Sequence, residues 1–429
     1  MLQEIDARRI EADVRALAGF HTRHTLSDDP SQTSGVVAAR EWIRQQFDDV
    51  ARTSGGRLRV AMHETMIERT SERVPRPVKV VNVLATLQGT SDPNRVYLVS
   101  GHYDSRASET NDYTSRAPGA NDDASGTALV IELARVMSQY DFDATIVFAA
   151  VAGEEQGLLG AAALAEHAKA QRWNLEAMFT NDIVGNTHGG NGVHDDKRVR
   201  VFSEGVPTVE SPVQLQARQS NGGENDGPSR QVARYIDEVA QQYTPGFDVT
   251  LIWRRDRFGR GGDHIPFNRQ GFAALRFTEP NEHYDRQHQD VRVEDGKQYG
   301  DTPEYVDFDY VANVARVNCA ALASMARAPA RVGNVRISTQ LEYDTTLTWE
   351  PSTESDLAGY VVLARETTAP TWQHRIDVDK SEPRARVRLS KDDYIFAVQA
   401  VDEAGHASIP ASPLPARRRD AATAPTTRD

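Results

Sequence analysis

Two adjacent carboxylates, Glu154 and Glu155, come shortly after an apolar run at residues 145–150. An ionised carboxylate is costly to remove from water unless a cation or another partner balances its charge. Neighbouring residues at the end of a strand can point in different directions. One of the two carboxylates could therefore bind a metal ion while the other accepts and returns a proton.

A histidine and an aspartate, His102 and Asp104, follow a second strand-like run at residues 96–100. A histidine that binds a metal usually donates the proton of its other ring nitrogen to a carboxylate, which fixes the tautomer. A lone histidine at this place would more often be structural. Because an aspartate stands two residues later, we interpret His102 as a metal ligand and Asp104 as the residue that orients its ring.

Two further acidic residues, Asp122 and Asp182, occupy similar places in the pattern. Asp122 lies in the loop before a helical pattern at residues 126–138, and Asp182 closely follows the apolar run 177–179. Taken alone, Asp122 would be read as a helix cap. The carboxyl ends of parallel strands meet at one edge of a sheet, so a single shared metal site explains all of these acids better.

Strand and helix patterns alternate along residues 1–326 and predict an α/β domain, with a mostly parallel mixed sheet sandwiched by helices. The predicted strands are 78–87, 96–99, 145–151, 177–179 and 273–277. The predicted helices are 5–18, 37–51, 126–138, 158–170, 228–242 and 311–325. Residues 186–227 have little periodicity, and we expect long loops or an irregular insertion there.

The composition changes at residues 327–330, which we interpret as a linker. Only strand patterns recur over residues 332–416, and they predict an all-β sandwich. Within this part, the segments 347–351, 357–360 and 396–406 resemble a fibronectin type III module. Residues 417–429 lack large apolar side chains and are predicted to be disordered.

The bulk composition excludes several classes of protein. A net charge of −13 argues against binding to nucleic acid, whose phosphates require a basic surface. No apolar stretch approaches the roughly 20 residues that cross a bilayer. Cys319 is the only cysteine, so an intramolecular disulfide and a thiolate zinc site are both impossible. Any metal must therefore be held by histidines and carboxylates.

The ordered motifs between residues 78 and 316 resemble the co-catalytic di-zinc aminopeptidases of clan MH, the leucyl aminopeptidase and aminopeptidase Y type. This resemblance implies two zinc ions per chain and peptide substrates with a free N-terminus. It also implies a cis peptide between Asp122 and Asp123. The implied roles are His102 and Asp182 on the first zinc, Asp122 bridging both, Glu155 on the second zinc with a late histidine, and Glu154 as general base.

The late histidine has two candidates, His283 and His288. Relatives often place a small or polar residue and then an aspartate after this ligand, and the segment 288–290 fits that pattern better than His283 does. His288 is therefore the predicted ligand. The segment 262–267 also resembles a part of the family that lies near the site without binding metal, so we interpret His264 as structural or substrate-facing.

Three alternative functions stay open. A glutaminyl cyclase of the same fold keeps one zinc and performs acyl transfer instead of hydrolysis. A carboxypeptidase would need a basic pocket for the terminal carboxylate, which the arginines at 254, 255, 257 and 260 could supply, although such runs are usually solvated. A third alternative is a binding or adhesion protein with a vestigial site, which the C-terminal module would suit.

The chain opens without the basic start and apolar core of a signal peptide. Fibronectin-like modules on bacterial-type hydrolases commonly accompany export. We expect a periplasmic or secreted protein whose export signal has been removed, with a cytoplasmic location as the alternative. The oligomeric state is not predicted.

Overall fold

The computed structural model describes residues 1–30, 33–68 and 70–416, so the predicted disordered tail at 417–429 lies outside the described residues. The strands of the larger part are β1 Leu58–Ile67, β2 Val78–Leu87, β3 Asp92–His102, β4 Ala144–Val151, β5 Asn174–Asn181, β6 Arg198–Ser203, β7 Asp248–Ile252 and β8 Ala274–Thr278. Its helices are α1 Ala7–Ala18, α2 Gly35–Thr53, α3 Ser125–Met137, α4 Leu159–Ala170, α5 Pro212–Ser220, α6 Pro228–Tyr243, α7 His264–Arg269 and α8 Phe308–Arg327.

Strands β1 to β8 form one mixed sheet in the order β1-β2-β4-β3-β5-β8-β6-β7. Four neighbouring pairs are parallel, and these include β3 with β4, β3 with β5, and β5 with β8. The pairs β1-β2, β2-β4 and β8-β6 are antiparallel. The mostly parallel mixed sheet is therefore confirmed, and the carboxyl ends of its central strands lie at one edge.

The apolar runs of the central strands are continuous because both faces of the sheet are covered. Side chains alternate in direction along a strand. Tyr97 and Val99 of β3 accordingly pack in the larger core, which α1, α2, α3, α6 and α8 complete. Leu98 points the other way, into a smaller core with α4 and α7. Among the described residues, no helix combines the length and apolar composition needed to cross a lipid bilayer.

The expectation of loops or an irregular insertion over residues 186–227 is wrong in part. Strand β6 and helix α5 both lie inside this range. Strand β6 is short and carries two arginines among its valines, so its apolar character is diluted in the sequence. Pairing with β7 and β8 supplies the hydrogen bonds that make it a strand, and those partners lie far away in the sequence.

A small hairpin, β9 Arg292–Glu294 and β10 Lys297–Tyr299, precedes α8. The C-terminal part contains two sheets that share one apolar core, and its identification as a fibronectin type III module stays a prediction, as does the domain division. Its strands are β11 Arg336–Ile337, β12 Thr345–Thr348, β13 Leu357–Glu366, β14 His374–Asp379, β15 Arg384–Val387, β16 Tyr394–Asp402 and β17 Leu414–Pro415.

A buried ion network joins the C-terminal sheets to the larger part. Asp226, just before α6, lies 2.7 Å from the guanidinium of Arg365 on β13 and 3.4 Å from that of Arg234 on α6. Both arginines are almost completely buried. The ring centroid of Trp372 lies 5.7 Å from the guanidinium carbon of each arginine. The two parts are thus held together by charges that water cannot solvate.

We expect Asp226→Ala to lower the free energy of unfolding by about 3–5 kcal/mol, since it leaves two buried arginines without their shared carboxylate. Urea unfolding followed by circular dichroism measures this change. A matched control is Arg375→Ala, which removes a half-exposed ion pair with Glu238 across the same interface. That control should change stability by less than about 1 kcal/mol. Equal effects of the two substitutions would contradict the importance of the buried network.

Candidate metal centre

The candidate site lies at the carboxyl ends of β3, β4 and β5. His102 ends β3, Glu154 and Glu155 follow β4, and Asp182 follows β5. These strands run in the same direction, so the three chain segments meet at one edge of the sheet. The side chains of His102, Glu155 and Asp182 are buried there. Sheet topology thus brings together residues that are up to 80 positions apart in the sequence.

Asp122 stands between two groups of side chains. Its Oδ1 lies 3.1 Å from Nε2 of His102, and its Oδ2 lies 2.9 Å from Nε2 of His288. One possible metal cluster consists of His102, Asp122 and Asp182. The second consists of Asp122, Glu155 and His288. Within each cluster the possible ligand atoms all lie within 4.8 Å of one another. One aspartate is therefore shared by two three-residue clusters.

The structure brings His288, and not His283, into the site. Nε2 of His288 lies 2.9 Å from Oε1 of Glu155 as well as close to Asp122. His283 makes its nearest charged contact with Asp285, at 3.8 Å, and belongs to neither cluster. The sequence pattern that favoured residue 288 therefore agrees with the geometry.

The electrostatics of the clusters fit a bound cation. Nε2 of His102 is buried and faces carboxylate oxygens of Asp122 and Asp182 at 3.1 and 3.8 Å, but it makes no hydrogen bond of suitable geometry with any described residue. Burial opposes the charged imidazolium, but surrounding carboxylates outweigh it and raise the pKa of His102 well above its ordinary value. Burial likewise opposes protonation of His288, and Glu155 and Asp122 nevertheless raise its pKa to about 10. Where carboxylates attract a proton this strongly, they also attract a metal ion.

The donor atoms match zinc chemistry. Each cluster offers one imidazole nitrogen and two carboxylates, a set that zinc accepts in catalytic sites. Arg276 forms an ion pair with Asp182, in which Nη1 of the arginine lies 2.8 Å from Oδ2 of the aspartate. Burial disfavours the carboxylate of Asp182, but Arg276 and His102 outweigh it and lower its pKa to about 2. The carboxylate is therefore ionised and available to a cation.

Glu154 lies beside the clusters without belonging to either. Burial, which outweighs the opposing charge of His102, raises the pKa of Glu154 well above its ordinary value. A raised pKa makes the carboxylate a stronger base, which is the property that a proton acceptor needs. The two adjacent glutamates thus differ in environment, since Glu155 belongs to a cluster and Glu154 does not.

Asp104 contacts His102 through its backbone and the glutamate-bearing turn through its side chain, so the predicted orienting role of its carboxylate stays a prediction. Nδ1 of His102 lies 3.2 Å from the backbone carbonyl oxygen of Asp104 and 3.6 Å from its carboxylate. The carboxylate itself accepts hydrogen bonds from the backbone N–H groups of Glu154 and Glu155, at 3.2 and 3.1 Å. Asp104 therefore ties the end of β3 to the turn that carries both glutamates.

The peptide bond between Asp122 and Asp123 is cis, as the family resemblance implied. While Asp122 faces the clusters, the carboxylate of Asp123 accepts hydrogen bonds from the backbone N–H groups of His102 and Gly126. A Cβ atom on Gly126 would lie 2.0 Å from the backbone oxygen of Asn181. Only glycine allows helix α3 to begin this close to β5.

Two residues that support the site carry no signal in the sequence. The carboxylate of Asp301 accepts hydrogen bonds from the backbone N–H groups of Asn121 and Asp122, at 2.9 and 2.7 Å. The side-chain amide of Gln287 donates a hydrogen bond to Oδ2 of Asp122 at 3.1 Å. Both residues lie in irregular segments far from Asp122 in the chain, so periodicity could not have placed them.

Two residues of the segment 262–267, the predicted His264 and its neighbour Asp263, are buried. His264 is buried, and its Nε2 lies 2.7 Å from the backbone oxygen of Arg255, which agrees with a structural role. The carboxylate of Asp263 makes no hydrogen bond with any residue in the described part of the chain. Burial raises the pKa of Asp263 to about 7.

The sequence profile of "Peptidase family M28" matches residues 82–307, which include every residue of both clusters. A "probable zinc metalloprotease" of the fungus Leptosphaeria maculans is 47% identical over 402 residues, covering 94% of this chain and 93% of the relative.

Two solved structures have a similar fold. An aminopeptidase from Aneurinibacillus sp. strain AM-1 superposes with a TM-score of 0.53 at 16% identity, over 76% of this chain and 95% of the other. A glutaminyl cyclase from Porphyromonas gingivalis superposes with a TM-score of 0.50 at 15% identity, over 74% of this chain and 97% of the other. The fold is thus common to proteins of two different activities, so it does not by itself distinguish them.

Proposed function

Because the chain belongs to peptidase family M28, we propose that it is a zinc-dependent aminopeptidase that removes the N-terminal residue of peptides. The observation that carries this proposal is the pair of three-residue clusters that share Asp122, with Glu154 beside them. Two clusters favour a two-metal hydrolase over a single-metal enzyme.

In this proposal the chain holds two zinc ions with five side chains. His102 and Asp182 would hold one ion, Glu155 and His288 would hold the other, and Asp122 would contact both. A bound zinc pair supplies Lewis acidity, which lowers the pKa of water and polarises a peptide carbonyl. The buried environment of the ligands strengthens these electrostatic effects.

Glu154 is the proposed general base and general acid. Its carboxylate would take the proton from the water that attacks the carbonyl carbon. The same carboxyl group would then give the proton to the nitrogen of the breaking peptide bond, so that the amine leaves neutral. The second proton of the water stays on the new carboxyl group of the released residue, which loses it to the solvent. Asp104 would keep Glu154 in place, because its carboxylate accepts a hydrogen bond from the backbone N–H group of Glu154.

The charges around the site support a substrate with a free amine. The chain carries a net charge of −13, and Asp263 adds a buried carboxyl group near Asp182 and His102. A cationic N-terminus is attracted to carboxyl groups that lie beside the metal ligands. The nearest cation to Asp182, Arg276, is already paired with that residue.

A zinc measurement combined with a substrate panel tests the proposal. We expect about two zinc ions per purified chain, as a co-catalytic site requires, and hydrolysis of aminoacyl chromogenic amides that stops when a chelator removes the metal and returns when zinc is restored. N-acetylated versions of the same amides should not be cleaved. One zinc per chain, together with cyclisation of N-terminal glutamine, would instead identify a glutaminyl cyclase. Zinc binding without turnover of any substrate would favour a vestigial site.

A further inference from the structure

A groove of about 530 Å³ lies beside strands β6 and β7, at the opposite edge of the sheet from β1. We call it the arginine groove. The residues that line it and carry the following argument are Arg200, Arg254, Arg257, Phe258, Arg260 and Tyr284. The sequence alone suggested that the arginines at 254–260 were solvated surface, but the fold turns three of them towards one concave surface together with Arg200 from β6.

The arginine groove has an excess of positive charge. Its only acidic lining residue is Glu282, whose carboxylate is shared by Arg200, Arg257 and Arg260 at 3.2, 2.9 and 2.7 Å. Arg254 forms no ion pair within the described part of the chain, and its guanidinium lies 5.8 Å from the ring centroid of Phe258. This local charge is opposite to that of the whole chain, which is −13.

Aromatic rings stand beside these arginines and face the solvent. Phe258 is 89% exposed and Tyr284 is 67% exposed. Exposing such rings is unfavourable in isolation, and aromatic residues next to arginine are enriched in the parts of surfaces that bind partners. The combination suits a ligand that presents both carboxylate groups and peptide backbone.

Hydrogen bonds connect the arginine groove directly to the metal centre. Nη1 of Arg260 donates to Oε1 of Gln287 at 3.3 Å, and Nε2 of Gln287 donates to Oδ2 of Asp122 at 3.1 Å. One amide group and two hydrogen bonds thus place Arg260 within roughly 9 Å of Asp122, the length of two or three extended residues. Two or three extended residues are therefore long enough to span the distance from the metal centre to the groove.

We propose that the arginine groove binds a carboxylate of the peptide substrate, on the C-terminal side of the bond that is cleaved. The proposal rests on the proposed aminopeptidase function and adds a substrate class to it: short peptides that carry an acidic side chain or a free C-terminus two or three residues beyond the cleaved bond. Guanidinium groups bind carboxylates through paired hydrogen bonds, which gives direction as well as charge.

Three tetrapeptides with the same N-terminal residue separate the two sources of the carboxylate. One has Glu at position three and an amidated end, the second has Gln at position three and an amidated end, and the third has Gln and a free C-terminus. For the wild-type zinc enzyme we expect kcat/KM to be about fivefold higher for the peptide whose carboxylate the groove binds than for the peptide with Gln and an amidated end. This factor corresponds to the free energy of a partly exposed ion pair. Raising the salt concentration should reduce this preference.

Arg254→Gln is the variant of choice, because Arg254 forms no ion pair with the described residues and belongs to neither metal cluster. The preference for the carboxylate should fall to near unity in this variant. The matched control is Arg59→Gln, which changes an exposed arginine on β1 at the opposite edge of the sheet and should keep the wild-type preference. Equal kcat/KM for all three peptides in the wild type, or an unchanged preference in Arg254→Gln, would overturn the proposal.

A binding measurement separates failure of the groove from failure of the proposed function. Fluorescence anisotropy reports binding of a labelled, N-acetylated acidic peptide whether or not it is hydrolysed. One outcome is that the wild type releases no N-terminal residue from the tetrapeptides but binds the labelled peptide about fivefold more tightly than Arg254→Gln does. This outcome would support carboxylate binding in the groove and reject the aminopeptidase function. Release of the C-terminal residue from the labelled peptide would also reject the aminopeptidase function. Equal binding to both proteins would reject the groove.

Discussion

Replacing Glu154 by Gln is expected to lower kcat by a factor of about 10²–10⁴, the range that general acid–base catalysis contributes. Glutamine has nearly the same shape but cannot accept the proton of the attacking water. The zinc content should stay unchanged, since Glu154 lies outside both clusters. Steady-state rates on an aminoacyl chromogenic amide and metal analysis of the same preparation give the two values.

Glu166→Gln is the matched control for this experiment, because it makes the same chemical change on the exposed side of helix α4. It should leave both rate and zinc content at the wild-type level. Full activity in Glu154→Gln would rule out the assigned role. Loss of zinc together with loss of activity would mean that the two glutamates do not divide the tasks as proposed.

Replacing Asp122 by Ala is expected to remove metal from both clusters and to lower activity by more than about a hundredfold. Changing a residue that only contacts a metal ligand lowers metal affinity or activity by up to about a hundredfold, and loss of a ligand itself should cost more. Asp122 is the one side chain that both clusters share. Its carboxylate also lies within 3.1 Å of His102 and 2.9 Å of His288, so both imidazoles would lose a negative partner.

His288→Ala provides the internal comparison, since it affects only the cluster with Glu155. We expect this variant to keep the ion at His102 and Asp182, and therefore to bind about half the zinc of the wild type if two ions are held. Asp141→Asn, a change at a side chain that is 74% exposed, controls for the loss of an acidic residue. Thermal unfolding of each variant shows whether the fold survives. Equal zinc content in Asp122→Ala and the wild type would contradict the shared ligand.

Much of the candidate site was predictable because its residues follow recognisable strands. Residues 96–99, 145–151 and 177–179 are apolar without interruption, which is typical of strands buried on both faces. Polar residues that directly follow such strands stand out, and parallel strands bring their carboxyl ends together. His102, Glu155 and Asp182 could therefore be assigned to one place before the fold was known.

The supporting residues were not predictable in the same way. Asp301 and Gln287 contact the Asp122 segment from irregular chain more than 160 positions away. Their backbone has no periodicity, and nothing in an isolated aspartate or glutamine indicates which distant N–H group or carboxylate it will meet. The same reason explains why β6 was assigned to an irregular insertion, since its strand partners are distant in the sequence.

The sequence by itself determined the type of chemistry, because donor atoms are a property of residue type: with one cysteine, only histidines and carboxylates could hold a metal. Through the family resemblance, the sequence also predicted different roles for Glu154 and Glu155. Only the tertiary structure brought His288, and not His283, within 2.9 Å of Glu155 and gathered Arg254, Arg257 and Arg260 into one groove. Both depend on how long loops close over the sheet, and that path is set by contacts between residues far apart in the chain.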